Sequence, residues 1–413
     1  MNVISKTMQP EDVGLSARRL DAITDFFKSY VDKGKLTGFS TLVSRHGQIA
    51  HQAEYGLRYA EENLPVESDT IYRIYSMTKP IVSLALMMLH DEGRFQISHP
   101  VSRYIPEFAN LKVWAGGTAE DYQTKPCERE MTIVDLLTHT SGLTYGFMQA
   151  HPVDALYRKA GINGGFTDRL SLKETVLALA ELPLLFSPGE KWSYSIATDV
   201  CGYLVEVLSG VPLDEFLNTR IFEPLGMIDT GFWVPGEQLH RLAANYERNP
   251  KSRTLRLIDK PDESSLYSKR RTYLSGGGGL VSTQADYWRF CQMVLNGGEF
   301  GGVRLISRKT IEFMAANHLP GNQTMKAMDD SAFSETRPEG SGFGLGFSVL
   351  LDPVEAQLPG SSGAISWGGA ASTYFWIDPE EDLIAIMMTQ LMPSGAYPLR
   401  PQFQQLVYAA LED

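Results

Sequence analysis

Ser76-Met77-Thr78-Lys79 runs directly into Pro80-Ile81-Val82-Ser83-Leu84-Ala85-Leu86-Met87-Met88-Leu89. Nowhere else in the 413 residues is a serine followed three positions later by a lysine. Residues three apart on a helix point the same way, which is the geometry of an activated nucleophile. Ile81, Val82, Leu84 and the residues up to Leu89 put apolar groups on every helical face, predicting a buried helix over Pro80–Leu89. Pro80 is tolerated only in a first turn, so the helix must begin close to Ser76. Asp91-Glu92-Gly93 predicts its end, with Gly93 as the stop. Ser76 then sits at the positive end of the helix, where free N–H groups favour a developing anion. A lysine one turn inside such a helix must have its charge paired or its pKa lowered. Either outcome suits a group that activates a serine. The spacing by itself also fits a capping serine followed by a surface lysine.

Upstream, residues 15 to 33 read as an amphipathic helix with Leu20, Ile23, Phe26, Phe27 and Tyr30 on one stripe. Phe39 to Ser44 and Gln48 to Glu54 read as strands around an Arg45-His46-Gly47 turn. From about 100 to 270 the texture changes to helical stretches, such as Leu172–Leu182 and Ala197–Leu208, broken by Pro and Gly loops. Gly276 to Gly279 lacks a phosphate-binding context and reads as a tight turn into a strand. Trp288–Leu295 and Val303–Ala316 look helical, Phe343–Leu351 and Ile365–Gln390 strand-rich, and a last helix covers about 400 to 411. The pattern predicts one mixed α/β layer made from the two chain ends, 1–105 and 273–413, with a mainly helical domain inserted at 106–272. A boundary between two such units is a common place for a small-molecule pocket.

Hydrophobic content of 43% and charged content of 21% fit a globular enzyme. A net charge of -12 argues against a nucleic-acid surface. Cys127, Cys201 and Cys291 are far apart, odd in number and without a C-x-x-C, which argues against a disulfide framework or a structural zinc site. The eight histidines show no H-E-x-x-H spacing, so no metal and no cofactor are implied. Neither a signal-length apolar segment nor a membrane span is present, and the chain reads as cytoplasmic. No Gly-x-Ser-x-Gly occurs, which argues against an α/β-hydrolase elbow.

A third group is needed to take the serine proton. Tyr194 is the best candidate: it follows the Ser187-Pro188-Gly189-Glu190 turn and precedes an apolar helix, a junction that projects easily into a cleft. It could equally be an aromatic packed beside Trp192. His139 reads as a structural, hydrogen-bonding histidine.

Four motifs in order carry a family resemblance. They are Ser76-Met77-Thr78-Lys79, then Leu136-Leu137-Thr138-His139-Thr140-Ser141-Gly142-Leu143, then Tyr194-Ser195-Ile196, then Trp367-Gly368-Gly369; Gly276 to Thr283 is also typical. On these the chain resembles, over about 15 to 390, the serine hydrolases that share the fold of class C β-lactamases and DD-peptidases. Among them it looks closest to the family VIII carboxylesterases. The resemblance implies an α+β fold: an antiparallel sheet flanked by helices, with a helical insertion. It implies Ser76 as acylated nucleophile, Tyr194 as general base and Lys79 as the group that stabilises the phenolate and shuttles the proton. The oxyanion hole would be the N–H groups of Ser76 and Ala370. Gly368 and Gly369 would let substrate lie against the strand backbone, and Tyr145, Phe147 and Trp367 would wall an apolar pocket.

Two departures favour esters over β-lactams. Ile196 stands where the β-lactamases have an asparagine, and Trp367 stands where they have the lysine that faces a carboxylate. The expected activity is hydrolysis of short to medium acyl esters through an acyl-enzyme. The expected partner is a small-molecule ester, with no nucleic acid and no membrane; the subunit count is left open. The rivals are a β-lactamase, a D-amino-acid peptidase or an acyltransferase on the same scaffold, and a non-catalytic binding module.

Overall fold

The computed structural model describes residues 6–164, 169–329 and 333–413. Its centre is an eight-stranded sheet built from both chain ends. The strands are β1 (Gly38–Arg45), β2 (Gln48–Tyr59), β3 (Leu64–Pro65), β4 (Ser341–Phe343), β5 (Ser348–Leu350), β6 (Ile365–Gly368), β7 (Tyr374–Asp378) and β8 (Leu383–Met388). They lie in the order β4-β5-β6-β7-β8-β1-β2-β3, each antiparallel to its neighbour. The β1–β2 hairpin turns on His46 and Gly47, with φ of 52° and 70°; two positive values in succession match the twist of a two-residue hairpin.

Two helices cover one face of the sheet. The stripe of α1 (Ala17–Asp32) packs Leu20, Ile23 and Phe27 against Phe39, Trp376 and Phe403, the last on the C-terminal helix. Each fully buried side chain of this size stabilises the fold by about 1.5–3 kcal/mol. The other face meets the long apolar core shared by α2 (Thr78–Asp91), α3 (Ala197–Ser209) and α4 (Gln284–Leu295). Every residue of α2 from Thr78 to Leu89 is buried, as its all-round apolar sequence requires. It begins two residues earlier than the Pro80 start expected, and it ends before Gly93, which has φ 73°. The C-terminal helix, α5, spans Leu399–Tyr408.

One expectation needs correcting. The segment Val303–Ala316 is not one helix. Val303–Arg304 pairs with Glu299–Phe300 as a hairpin around Gly301 and Gly302, both at positive φ, and the helix is only Arg308–Ala315, capped by Ser307. The mainly helical middle of the chain carries strands as well. It holds a hairpin of Lys112–Gly117 with Tyr122–Pro126 and another of Asn245–Arg248 with Leu255–Asp259. The three cysteines are free thiols. Among the described residues no helix is long and apolar enough to cross a membrane.

Candidate active site

Ser76 lies in a tight 3-10 turn, Tyr75–Met77, that feeds α2. Tyr75 has φ 44°, a left-handed conformation that costs a non-glycine residue about 1–3 kcal/mol. Surrounding bonds hold it. Ile74 N–H donates to Leu280 O at 3.1 Å, Leu280 N–H to Thr78 Oγ1 at 3.1 Å, and Tyr287 O–H to Met77 O at 3.0 Å. Tyr72–Arg73, just before the turn, pairs with Val281–Ser282. The glycine-rich segment thus turns into a strand that braces the serine from behind.

Lys79, the second residue of α2, is 1% exposed. Its Nζ donates to Tyr194 Oη at 2.6 Å, Gly277 O at 2.7 Å, Tyr145 Oη at 3.0 Å and Ser76 Oγ at 3.3 Å. Tyr194 Oη stands 2.5 Å from Ser76 Oγ. Hydroxyl, amine and phenol therefore converge, although 115 residues separate Lys79 from Tyr194. Burial pulls the Lys79 amine down to about 7, opposed by the negative charges of Asp199 and Glu335. Burial, with Glu335 adding to it, pushes the Tyr194 phenol well above its ordinary value.

His139 is buried with φ 57°. Its Nδ1 lies 3.2 Å from Ser195 Oγ, and burial drives its pKa well below the usual range. It makes no hydrogen bond to Ser76 or Tyr194 among the described residues; its ring packs edge-on against Tyr194 at 5.2 Å. In this arrangement the ring contributes packing and one hydrogen bond.

The pocket residues divide. Tyr145 is not merely an apolar wall, because its hydroxyl is one of the four groups on Lys79; its ring stacks on Phe147 at 4.6 Å. Phe147 is 42% exposed. Trp367 is fully buried, 5.6 Å from the Tyr194 ring and 5.3 Å from Phe343. It backs the tyrosine and presents no open wall. The two glycines are closely approached by protein groups. A Cβ on Gly368 would collide with the Arg400 guanidinium, and one on Gly369 with Thr373 and the Ile74 carbonyl. Their missing side chains make room for these protein groups. Ala370, half-buried, follows them in a turn; its N–H has no backbone acceptor among the described residues.

Sequence reading missed Asp199, Glu335 and Arg400. From α5, Arg400 donates to Gly369 O at 2.6 Å and Thr373 O at 3.1 Å and pairs with Glu335 at 2.8 Å. It ties the Gly368–Thr373 turn to the segment before β4. Phe333, in that segment, is 5.7 Å from the Tyr194 ring. No signal in the sequence points to these residues, because their importance arises from burial. Among the described residues no cluster of His, Cys, Asp and Glu could hold a metal ion.

Known proteins share this fold. The chain is 32% identical over 415 residues to Esterase EstB of Burkholderia gladioli, with 96% of each chain covered. It superposes on EstCE1, described as a hydrolase with promiscuous acyltransferase activity, with a TM-score of 0.78, 25% identity and 95% and 98% of the two chains covered. A simvastatin synthase of Aspergillus terreus gives the same TM-score at 24% identity, over 96% of this chain and 98% of that one. The sequence model of the Beta-lactamase family matches residues 23–409. With nearly the whole chain matched, this protein belongs to the Beta-lactamase family, within the serine hydrolases of the β-lactamase and DD-peptidase superfamily.

Proposed function

We propose that this enzyme is a serine carboxylesterase that hydrolyses short to medium acyl esters through an acyl-enzyme on Ser76. The observation that carries this reading is the buried triangle in which Lys79 Nζ reaches both Ser76 and Tyr194, and Tyr194 reaches Ser76. The neutral Lys79 amine takes the phenol proton, and the Tyr194 phenolate, stabilised by the resulting Lys79 ammonium, then takes the Ser76 proton as Oγ attacks the ester carbonyl. The N–H groups of Ser76 and Ala370 receive the oxyanion. Ser76 lies at the start of its turn, where an N–H lacks an intrahelical acceptor. Tyr194 returns the proton to the leaving alcohol, and water then repeats the cycle to free the acid. The substrate is a neutral ester: Tyr145, Phe147, Tyr194 and Phe333 form an aromatic surround, and buried Trp367 replaces the cation a β-lactam carboxylate needs.

A second reading, transfer of the acyl group to an alcohol rather than water, uses the same intermediate. The likeness to EstCE1, with its acyltransferase activity, favours it. One experiment separates the readings. Purified enzyme is offered p-nitrophenyl esters of graded chain length and a chromogenic cephalosporin, with and without added alcohol, and the adduct is located by mass spectrometry. Ester turnover with the acyl mass on Ser76 is expected. Preference for the cephalosporin, or an adduct elsewhere, would overturn the proposal; product rerouted into a new ester would establish the second reading.

A further inference from the structure

Asp199 stands in the first turn of α3, five residues after Tyr194, and is fully buried. Its Oδ1 accepts from Tyr273 O–H at 2.7 Å and Ser275 O–H at 2.8 Å. Both donors belong to the strap 273–279, whose Gly277 carbonyl accepts from Lys79 at 2.7 Å. The other oxygen, Oδ2, is buried against Gly277, whose backbone N–H interacts with the carboxylate. A Cβ on Gly277 would collide with Oδ2 and stand 2.7 Å from Tyr145 Oη, so carboxylate, strap and second phenol meet at one point behind Lys79. A carboxylate buried with no cation in direct contact destabilises a fold; its presence behind the reactive amine calls for a compensating role.

We propose that Asp199 is a positioning residue for the hydrolytic relay: it fixes the strap that presents Gly277 O to Lys79, and its buried charge supports the Lys79 ammonium. This rests on the assignment of Ser76, Lys79 and Tyr194 made above. The groups acting on Lys79 come from several elements. Tyr194 and Asp199 approach from the start of α3, Tyr145 and His139 from the loop after the short helix Ile133–Leu137, Tyr273 from the strap, and Glu335 from the segment before β4. Glu335 is already neutralised by Arg400, whereas Asp199 Oδ1 is met by two hydroxyls. Asp199 heads the groups that oppose the effect of burial on the amine. Removing its charge therefore favours the neutral amine, and the acidic limb of kcat/KM moves to lower pH.

The test is the pH profile of kcat/KM for p-nitrophenyl butyrate in the parent, Asp199→Asn and Asp199→Ala, from about pH 5 to pH 9. Both variants should move the acidic limb down by about half a unit or more. The Asn variant, which keeps an acceptor for Tyr273 and Ser275, should retain more kcat than the Ala variant. The Ala variant, lacking the buried polar group altogether, supplies the same readout if the Asn variant folds poorly. An unmoved limb, even with reduced kcat, would leave Asp199 a purely structural residue and overturn the inference. Ser76→Ala, assayed in parallel, keeps the two levels apart: if it stays active, the relay assignment fails, and if it is dead while the limb is unmoved, only the Asp199 inference fails.

Discussion

Replacing Tyr194 by Phe removes one oxygen from the most tightly knit part of the molecule. That oxygen lies 2.5 Å from Ser76 Oγ and 2.6 Å from Lys79 Nζ. Without it, the nearest base to Ser76 is Lys79 itself, 3.3 Å away and still donating to Tyr145 and Gly277. Positioned general bases contribute about 10²–10⁴ in rate. At about 1.4 kcal/mol per tenfold, the loss is about 3–5 kcal/mol of transition-state stabilisation. Because this interaction matures as Ser76 attacks, kcat and kcat/KM should fall together. The fold should scarcely notice. The ring keeps Tyr145, Trp367 and Phe333 as neighbours at 5.5–5.7 Å, and the lost hydrogen bonds are worth about 1 kcal/mol each. Steady-state hydrolysis of p-nitrophenyl butyrate, with a thermal melt on the same sample, measures both. A variant whose kcat stays within about threefold of the parent would refute Tyr194 as the base.

Other perturbations probe the surrounding structure. Because burial pulls Lys79 from 10.5 down to about 7, the unfolded chain binds one more proton than the folded one between those values, so stability from this group rises with pH across that window. Lys79→Met removes that dependence: turnover vanishes, and the melting temperature relative to the parent is most favourable near about pH 6 and declines toward pH 10; parallel curves would show that the amine is not held near neutrality. Arg400→Ala leaves Glu335, whose side chain is 4% exposed, buried without its cation. A loss of about 3–5 kcal/mol in denaturant unfolding is expected, with a drop in kcat as the Gly369–Thr373 carbonyls lose their anchor. Gly277→Ala forces a methyl into Asp199 and Tyr145. It should cost about 1–3 kcal/mol of stability and more than tenfold in kcat, read by the same assays.

What could be read in advance follows a physical division. The α2 helix was legible because burial on all faces needs an apolar residue at nearly every position, and Ile81 to Leu89 supply them. The β1–β2 hairpin was legible from its turn pair. Val303–Ala316 misled because its helical half, Arg308–Ala315, is genuine, whereas Gly301 and Gly302 fold the residues before it back into a hairpin. Gly368 and Gly369 are legible as positions of close approach, and Arg400, Thr373 and Ile74 are the protein groups that crowd them. Asp199, Glu335 and Arg400 were illegible because a charged residue in a sequence reads as surface by default. Only the assembled core takes water away from them and gives their charges long reach.

That same burial links the fold to the chemistry. The apolar run that makes α2 a core helix also carries Lys79 into the interior, out of the water that would otherwise leave an ammonium unaffected by its neighbours. An amine held near 7 can give and accept a proton at ordinary pH, and a phenol in contact with it can lose one to become the base. Neither property belongs to Ser76-Met77-Thr78-Lys79 as a string; the same four residues ahead of an amphipathic helix would leave the lysine in water with an ordinary pKa. Opening the core beside Lys79 should therefore impair the chemistry without touching a reacting atom. Val82 lies against the strap, 3.3 Å from where a Cβ on Gly276 would stand. Val82→Ser would admit polarity there and raise the Lys79 pKa by easing desolvation, so the acidic limb of kcat/KM should move to higher pH, opposite to the shift for Asp199→Asn. Shifts of the same sign in the two variants would mean that burial and the Asp199 charge do not act on the amine in opposition.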